Sequence, residues 1–129
     1  MPRIAAVATA TPPHRVSQQE AKRVAREFFA PAVANIDRYT SVFDNGEIDT
    51  RSLAAPIEWF GRHHSWGEAN DLWIDVSCTI GAEAARRCLD TAGLTAGDVD
   101  HIFFVSTTGL AAPSIDARLM TLLGMTRHT

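Results

Sequence analysis

The hydrophobic period of this chain changes once, sharply, between Glu68 and Val105, and that change restricts the fold more than any other feature. From Glu68 to Ala92, the residues Leu72, Trp73, Val76, Ile80, Ala84, Cys88 and Ala92 step down one side at helical spacing, which predicts the longest helix. The alanines and Gly81 along it point to close packing against another helix or a sheet. Gly93 supplies a C-cap with Leu94 folding back on the last turn, and Thr95-Ala96-Gly97-Asp98 is a turn. His101-Ile102-Phe103-Phe104-Val105 then reads as a short buried strand of β-branched and aromatic residues. It gives way to the small, polar Ser106-Thr107-Thr108-Gly109. Past that loop a last helix is predicted from about Ser114 to Leu123, with the Ser114 hydroxyl as N-cap and Asp116 favoured in the first turn by the helix dipole. Ile115, Leu119, Leu122 and Leu123 form its apolar stripe and Gly124 its end. A strand, a small-residue loop and a helix start together suit a ligand site, and equally a plain crossover.

The earlier half supplies one more strand and one clear helix. Arg3 to Ala10, with Ile4 and Val7 among alanines, reads as a buried strand that Pro12-Pro13 terminates. Ser17-Gln18-Gln19-Glu20 is a capping-box signature, and Ala21, Val24, Ala25, Phe28, Phe29 and Ala32 recur on one helix face until Pro31 kinks or ends it. From Asn35 to Ser65 the periodicity is poor apart from a short helix around Ile36 to Phe43. Asn45-Gly46 is a turn signal and Pro56 biases Ala55 away from helix, so loops around short helices are expected. Strand, helix, helix, strand, helix is an α/β order with one domain and no linker.

Composition excludes several classes. A chain of 129 residues with 46% apolar and 21% charged residues and a formal net charge of -3 is ordinary for a globular protein. A chain of this size can bury about two-thirds of its unfolded surface. Mild acidity without basic runs gives no footing for nucleic acid or an anionic membrane, and no apolar run approaches the ~20 residues that span a bilayer. Ala8-Thr9-Ala10 mimics a signal-peptide cleavage site, but Arg3 alone charges the region before it and the apolar run is short, so the strand reading and a cytoplasmic location are preferred. Cys78 and Cys88 fall on one predicted helix, where a disulfide between them would require the helix to break; reduced thiols follow.

The motif Val105-Ser106-Thr107-Thr108-Gly109-Leu110-Ala111-Ala112-Pro113-Ser114-Ile115-Asp116-Ala117-Arg118-Leu119-Met120, read with Asn45 to Arg51 and Pro56-Ile57-Glu58-Trp59-Phe60, closely resembles the N-terminal part of bacterial type III polyketide synthases, the chalcone and stilbene synthase family. The resemblance runs from Arg3 to Thr129 and implies an α/β, partial thiolase-like fold, the first part of the N-terminal α/β repeat. Residues 1–129 would then form an incomplete N-terminal domain with the C-terminal domain absent, and at least one sheet edge would await strands beyond Thr129. The implied activity is that of an acyltransferase joining acyl-CoA starters to malonyl-CoA in a homodimer, with no cofactor and no metal.

That chemistry needs a thiolate at a helix N-terminus, a histidine paired with it, and an asparagine that helps stabilise the enolate and oxyanion. In the family, the cysteine lies in a Gly-rich segment that would begin just after Thr129, so the chain alone is expected to be inactive. Cys78 is predicted mid-helix, where its N–H is already used. Cys88 follows Arg86 and Arg87, which point elsewhere on a helix; both thiols read as structural. None of His14, His63, His64, His101 and His128 matches the catalytic histidine, and the adjacent His63-His64 lacks partners at a zinc-like offset. Trp59, Trp66 and Trp73 read as core and loop anchors.

The resemblance places Thr107, Thr108 and Gly109 in the wall of the substrate pocket; the bland alternative is a strand end whose hydroxyls cap backbone groups. Arg51 matches a basic position near the coenzyme A entrance, against an ordinary surface arginine, and Asp44, Glu47 and Asp49 make its surroundings acidic. Ala111-Ala112 stands where plant members carry a methionine that reaches into the neighbouring subunit. The smaller residues suggest a larger cavity, long acyl starters, and alkylpyrone or alkylresorcinol products. Two other readings compete: a β-ketoacyl carrier-protein synthase III relative, against which Glu58-Trp59-Phe60 and Asp116-Ala117-Arg118 argue, and a non-catalytic module that docks on a partner chain.

Overall fold

Ser65 and Glu68 decide where the longest helix begins. The Ser65 hydroxyl accepts from the Glu68 N–H at 3.2 Å while a Glu68 carboxylate oxygen accepts from the Ser65 N–H at 2.8 Å, a reciprocal box that satisfies two otherwise unpaired donors. This chain, a computed structural model that describes residues 1–125, divides into two units: residues 1–11 with 65–125, and Pro12–His64.

The second unit contains strand β1 (His14–Ser17), helices α1 (Gln18–Phe29), α2 (Ile36–Thr40) and α3 (Val42–Asn45), strand β2 (Thr50–Leu53) and helix α4 (Ile57–Phe60). The strands pair antiparallel, His14 opposite Leu53 and Ser17 opposite Thr50. Neither strand was expected, because each is short and too polar to show an apolar alternation. Helix α1 starts and stops as predicted, capped by Ser17 and ending at Ala30 just before Pro31. Its expected capping box is only half formed. The Ser17 hydroxyl accepts from the Glu20 N–H at 3.1 Å, but the Glu20 carboxylate turns to Arg23, whose guanidinium donates to it and holds it below the usual carboxylate range. The helix expected around Ile36 to Phe43 splits at Ser41, where the hydroxyls of Thr40 and Ser41 bond back to the carbonyls of Ile36 (3.0 Å) and Arg38 (2.6 Å). At the Asn45-Gly46 turn the left-handed residue is Glu47, with φ of 49°.

The first unit is built on α5 (Trp66–Ala92), a 3-10 turn (Ala96–Asp98) and α6 (Ile115–Leu123). Both helices end on left-handed glycines, Gly93 and Gly124, with φ of 68° and 70°. Beyond each, a backbone N–H returns into the last turn, Leu94 to the Leu89 carbonyl (3.0 Å) and Met125 to Met120 (2.9 Å). The core is Ala82, Ile115 and Leu119, with Trp73, Ile74, Cys78, Ile102, Phe104, Ala111 and Leu123 packed against it. The close approach expected at Gly81 is present: a Cβ there would meet both Leu119 methyls at 3.3 Å.

The buried face of α5 differs from the expected stripe. Ile74, Cys78 and Ala82 face the core together with Trp73, whereas Leu72, Val76 and Ile80 lie about 200° further round and are half-buried. The helix is apolar on two flanks, so periodicity could not choose between them. Two expected strands are also absent as hydrogen-bonded ladders among the described residues. Arg3 to Ala10 and His101 to Val105 carry no strand pairing; burial alternates through His101 to Val105 and from Ala5 to Ala10, but Ile4 and Val7, expected to face inward, are exposed. Ile102 and Phe104 sit against the core while Phe103 and Val105 are 87% and 88% exposed. A strand exists only by pairing, and these segments have the inside-outside pattern without a partner.

Candidate functional site

The loop from Ser106 to Leu110 is seated on α5 by two side chains one turn apart on the same helix face. The Asn70 side-chain amide makes a reciprocal pair with the Leu110 peptide: Nδ2 donates to the Leu110 carbonyl at 2.9 Å, and Oδ1 accepts from the Leu110 N–H at 2.9 Å. This mimics the contact a neighbouring β-strand would make. Gly109 lies flat against the Trp73 indole. A Cβ added there would fall closer than 3.0 Å to two indole ring carbons and 2.9 Å from Asn70 Oδ1, so only glycine fits without movement.

Thr107 and Thr108 stand exposed on this loop. The Ser106 hydroxyl accepts from the Thr108 N–H at 3.2 Å, so the backbone-capping role falls to Ser106. Among the described residues no hydrogen bond engages either threonine hydroxyl. The loop leads through a cis Ala112-Pro113 peptide to α6. Ser114 occupies the N-cap position but makes no side-chain cap bond; its hydroxyl, with the free N–H groups of the first turn, holds the Asp116 carboxyl below the usual range. The expected cap is thus shifted onto the carboxylate, a better acceptor for those N–H groups.

Arg51 lies on β2 of the other unit and is half-buried. Its Nε donates to Gln18 Oε1 at 2.7 Å, and its guanidinium carbon sits 5.1 Å from the centre of the Phe43 ring. Gln18, only 7% exposed, also donates from Nε2 to the Phe43 carbonyl at 2.9 Å and from its backbone to the Asp49 carbonyl at 2.8 Å. Arg51 contributes to an open cleft of about 320 Å³ whose other walls are Ala21, Val24, Ala25, Phe28, Phe29, Phe43, Leu53, Ile57 and Phe60. The expected stripe of α1 is one wall of this cleft. Of the acidic neighbours, Asp44 is neutralised by Lys22 at 2.6 Å.

Asn70 and Gln18 were missed as site residues. Asn70 had a readable signal, since it extends the Ile74-Cys78-Ala82 line by one helical step and a poor helix former on an apolar line needs a partner. Gln18 had none, being one of two adjacent glutamines in a first turn. Cys78 and Cys88 are both free, and Cys78 packs on the core. Trp59 stacks on His64 with ring centres 3.8 Å apart, Trp73 packs on the core, and Trp66 is exposed, so the anchoring role expected of all three fails for Trp66. No group of His, Cys, Asp and Glu side chains among the described residues could hold a metal ion, and His128 lies outside those residues. No helix among them is long and apolar enough to cross a membrane.

No family model matches the chain. Individual relatives do. It is 37% identical over 98% of its length to a chalcone synthase-like protein of Bacillus subtilis, covering 36% of that protein. It is 38% identical over 95% of its length to a 1,3,6,8-tetrahydroxynaphthalene synthase of Streptomyces peucetius, covering 32% of it. The fold matches the crystal structure of the 1,3,6,8-tetrahydroxynaphthalene synthase of Streptomyces coelicolor, a bacterial type III polyketide synthase, with a TM-score of 0.83, 26% identity, and coverage of 95% of this chain and 35% of that one. The chain spans about a third of the length of the curated relatives it matches. In sequence and in its thiolase-like fold, the chain belongs to the type III polyketide synthase family.

Proposed function

We propose that this chain is the incomplete N-terminal domain, residues 1–129, of a polyketide synthase that condenses an acyl-CoA starter with malonyl-CoA, and that it is inactive without the remaining domain. The observation that carries this reading is the match of nearly the whole chain to about a third of each relative. In the complete reaction a cysteine thiolate displaces coenzyme A from the starter thioester. Malonyl-CoA then loses carbon dioxide, and the resulting enolate attacks the acyl-enzyme carbonyl, forming the new carbon–carbon bond as the thiolate leaves. The share of this chain in that scheme is a wall and an anchor. Thr107, Thr108 and Gly109 line the pocket, Gly109 leaving room for the growing chain and the two threonines offering it uncommitted hydroxyls. Arg51, whose Nη groups have no hydrogen bond among the described residues, pairs with a coenzyme A phosphate. Ala111 and Ala112 favour a long acyl starter and alkylpyrone or alkylresorcinol products. The complete enzyme works as a cytoplasmic homodimer.

Purified 129-residue chain incubated with a long-chain acyl-CoA and malonyl-CoA should release no carbon dioxide above a no-enzyme control; turnover refutes the inactive-part reading. An in-frame continuation after codon 129 carrying a Gly-rich cysteine segment supports a longer synthase. Comparing malonyl-CoA with a malonyl carrier protein as extender, in that longer synthase, separates this reading from a carrier-protein synthase. A second reading, a module docking on a partner chain, is favoured by the outward Phe103 and Val105. A stable, cooperative monomer by light scattering would count against it.

A further inference from the structure

We infer that Asn70 is a positioning residue for the pocket wall: from α5 it fixes the Leu110 peptide, and through it the placement of Thr107 and Thr108. The role in substrate binding rests on the polyketide synthase reading above; the clamp itself does not. Asn70 is suited to the task because its amide offers one donor and one acceptor in the spacing of a peptide group, and both are used on one residue at 2.9 Å. The neighbouring contact leaves the loop no slack, since Gly109 is already pressed on Trp73, whose ring is packed in turn on the core. The loop therefore meets α5 at two adjacent points, one polar and one steric. Beyond them, Thr107 and Thr108 project with free hydroxyls from a segment whose one other hydrogen bond among the described residues runs from the Thr108 N–H to the Ser106 hydroxyl. A loop otherwise exposed to water is thereby held in one conformation, and the entropy of ordering the wall is removed from substrate binding.

Amide exchange and chemical shifts of the ¹⁵N-labelled full chain test this. The Leu110 N–H should be protected although it belongs to no ladder, and Asn70→Ala should speed its exchange roughly five- to tenfold while amides around Ala82 and Leu119 hold. Asn70→Asp keeps the acceptor for the Leu110 N–H but faces its carbonyl with a second acceptor. It should preserve most of the Leu110 protection while shifting the Thr107 and Thr108 resonances, and it decides the matter if the alanine variant fails to fold. Unchanged Leu110 exchange in Asn70→Ala, or unchanged Thr107 and Thr108 resonances in both variants, overturns the clamp. Titration with octanoyl-CoA separates the two layers: shifts at Thr107 and Thr108 in the wild-type chain that weaken at least fivefold in Asn70→Ala support the positioning role. Wild-type shifts that persist undiminished overturn that role, and their absence from the wild-type chain overturns acyl-CoA contact by this wall on its own and leaves the clamp a scaffold contact.

Discussion

Replacing Gly109 with alanine sets two opposing effects against each other. Gly109 has no left-handed backbone angle, so alanine meets no conformational strain and would ordinarily gain about 0.4–1 kcal/mol by restricting the unfolded chain. Against this, the new methyl carbon falls closer than 3.0 Å to two rigid indole carbons of Trp73, where ordinary carbon contacts begin at about 3.5 Å. The indole is packed against the core and edge-on to Phe104 at 6.4 Å, so the loop is the part that yields. Lifting it stretches the two Asn70 bonds to Leu110. Overpacking of this kind costs roughly 1–3 kcal/mol, and each weakened hydrogen bond about 0.5–1.5 kcal/mol. The clash wins, and a net destabilisation of about 1–4 kcal/mol is expected for the first unit. Urea unfolding followed by tryptophan fluorescence reads it directly. Because the clash is with the Trp73 ring, the cost should shrink to under about 0.5 kcal/mol when measured in a Trp73→Leu background. A Gly109→Ala chain as stable as the parent, or an equal cost in both backgrounds, refutes the reasoning.

Three further outcomes follow from the geometry. Gln18→Ala removes the acceptor of Arg51 Nε and the donor to the Phe43 carbonyl, and should destabilise the second unit by about 1–3 kcal/mol in urea unfolding followed at Tyr39. Ser65→Ala deletes the hydroxyl half of the capping box on α5, leaving the backbone N–H of residue 65 to donate to the Glu68 carboxylate, and should cost about 0.5–2 kcal/mol, seen as an earlier loss of helical circular dichroism on heating. Asp116 has a folded-state pKa held below the ordinary 3.8, mainly by the Ser114 hydroxyl. Between the lowered and the ordinary value the unfolded chain binds more protons, so its contribution is fully present above pH 3.8 and is lost as the pH falls through the lowered value. Thermal melts of Asp116→Asn should show a shallower decline with acid than the parent chain.

Legibility in the sequence followed how local each determinant is. Helix ends set by neighbouring residues were readable: Gly93, Gly124 and Pro31 act within a few positions, and their terminations stand where expected. The helix expected from Glu68 begins at Trp66, because Ser65 with Glu68 forms the capping box that sets its start. Strand pairing is not local. His14–Ser17 finds Thr50–Leu53 across α1, α2 and α3, and nothing in either tetrapeptide announces the other. The candidate loop was legible as a segment, from its small residues between strand-like and helical patterns. Its support was not, since the Asn70 contact with Leu110 joins residues 40 positions apart that only the folded chain brings together.

The alternation at His101 to Val105 has a practical side. Two large apolar side chains directed at water from an unladdered extended segment invite self-association at high concentration, and a period of two separates them cleanly from the pair facing inward. Polar replacements confined to Phe103 and Val105 therefore offer a way to keep the isolated chain dispersed in solution while Ile102 and Phe104 go on anchoring the segment.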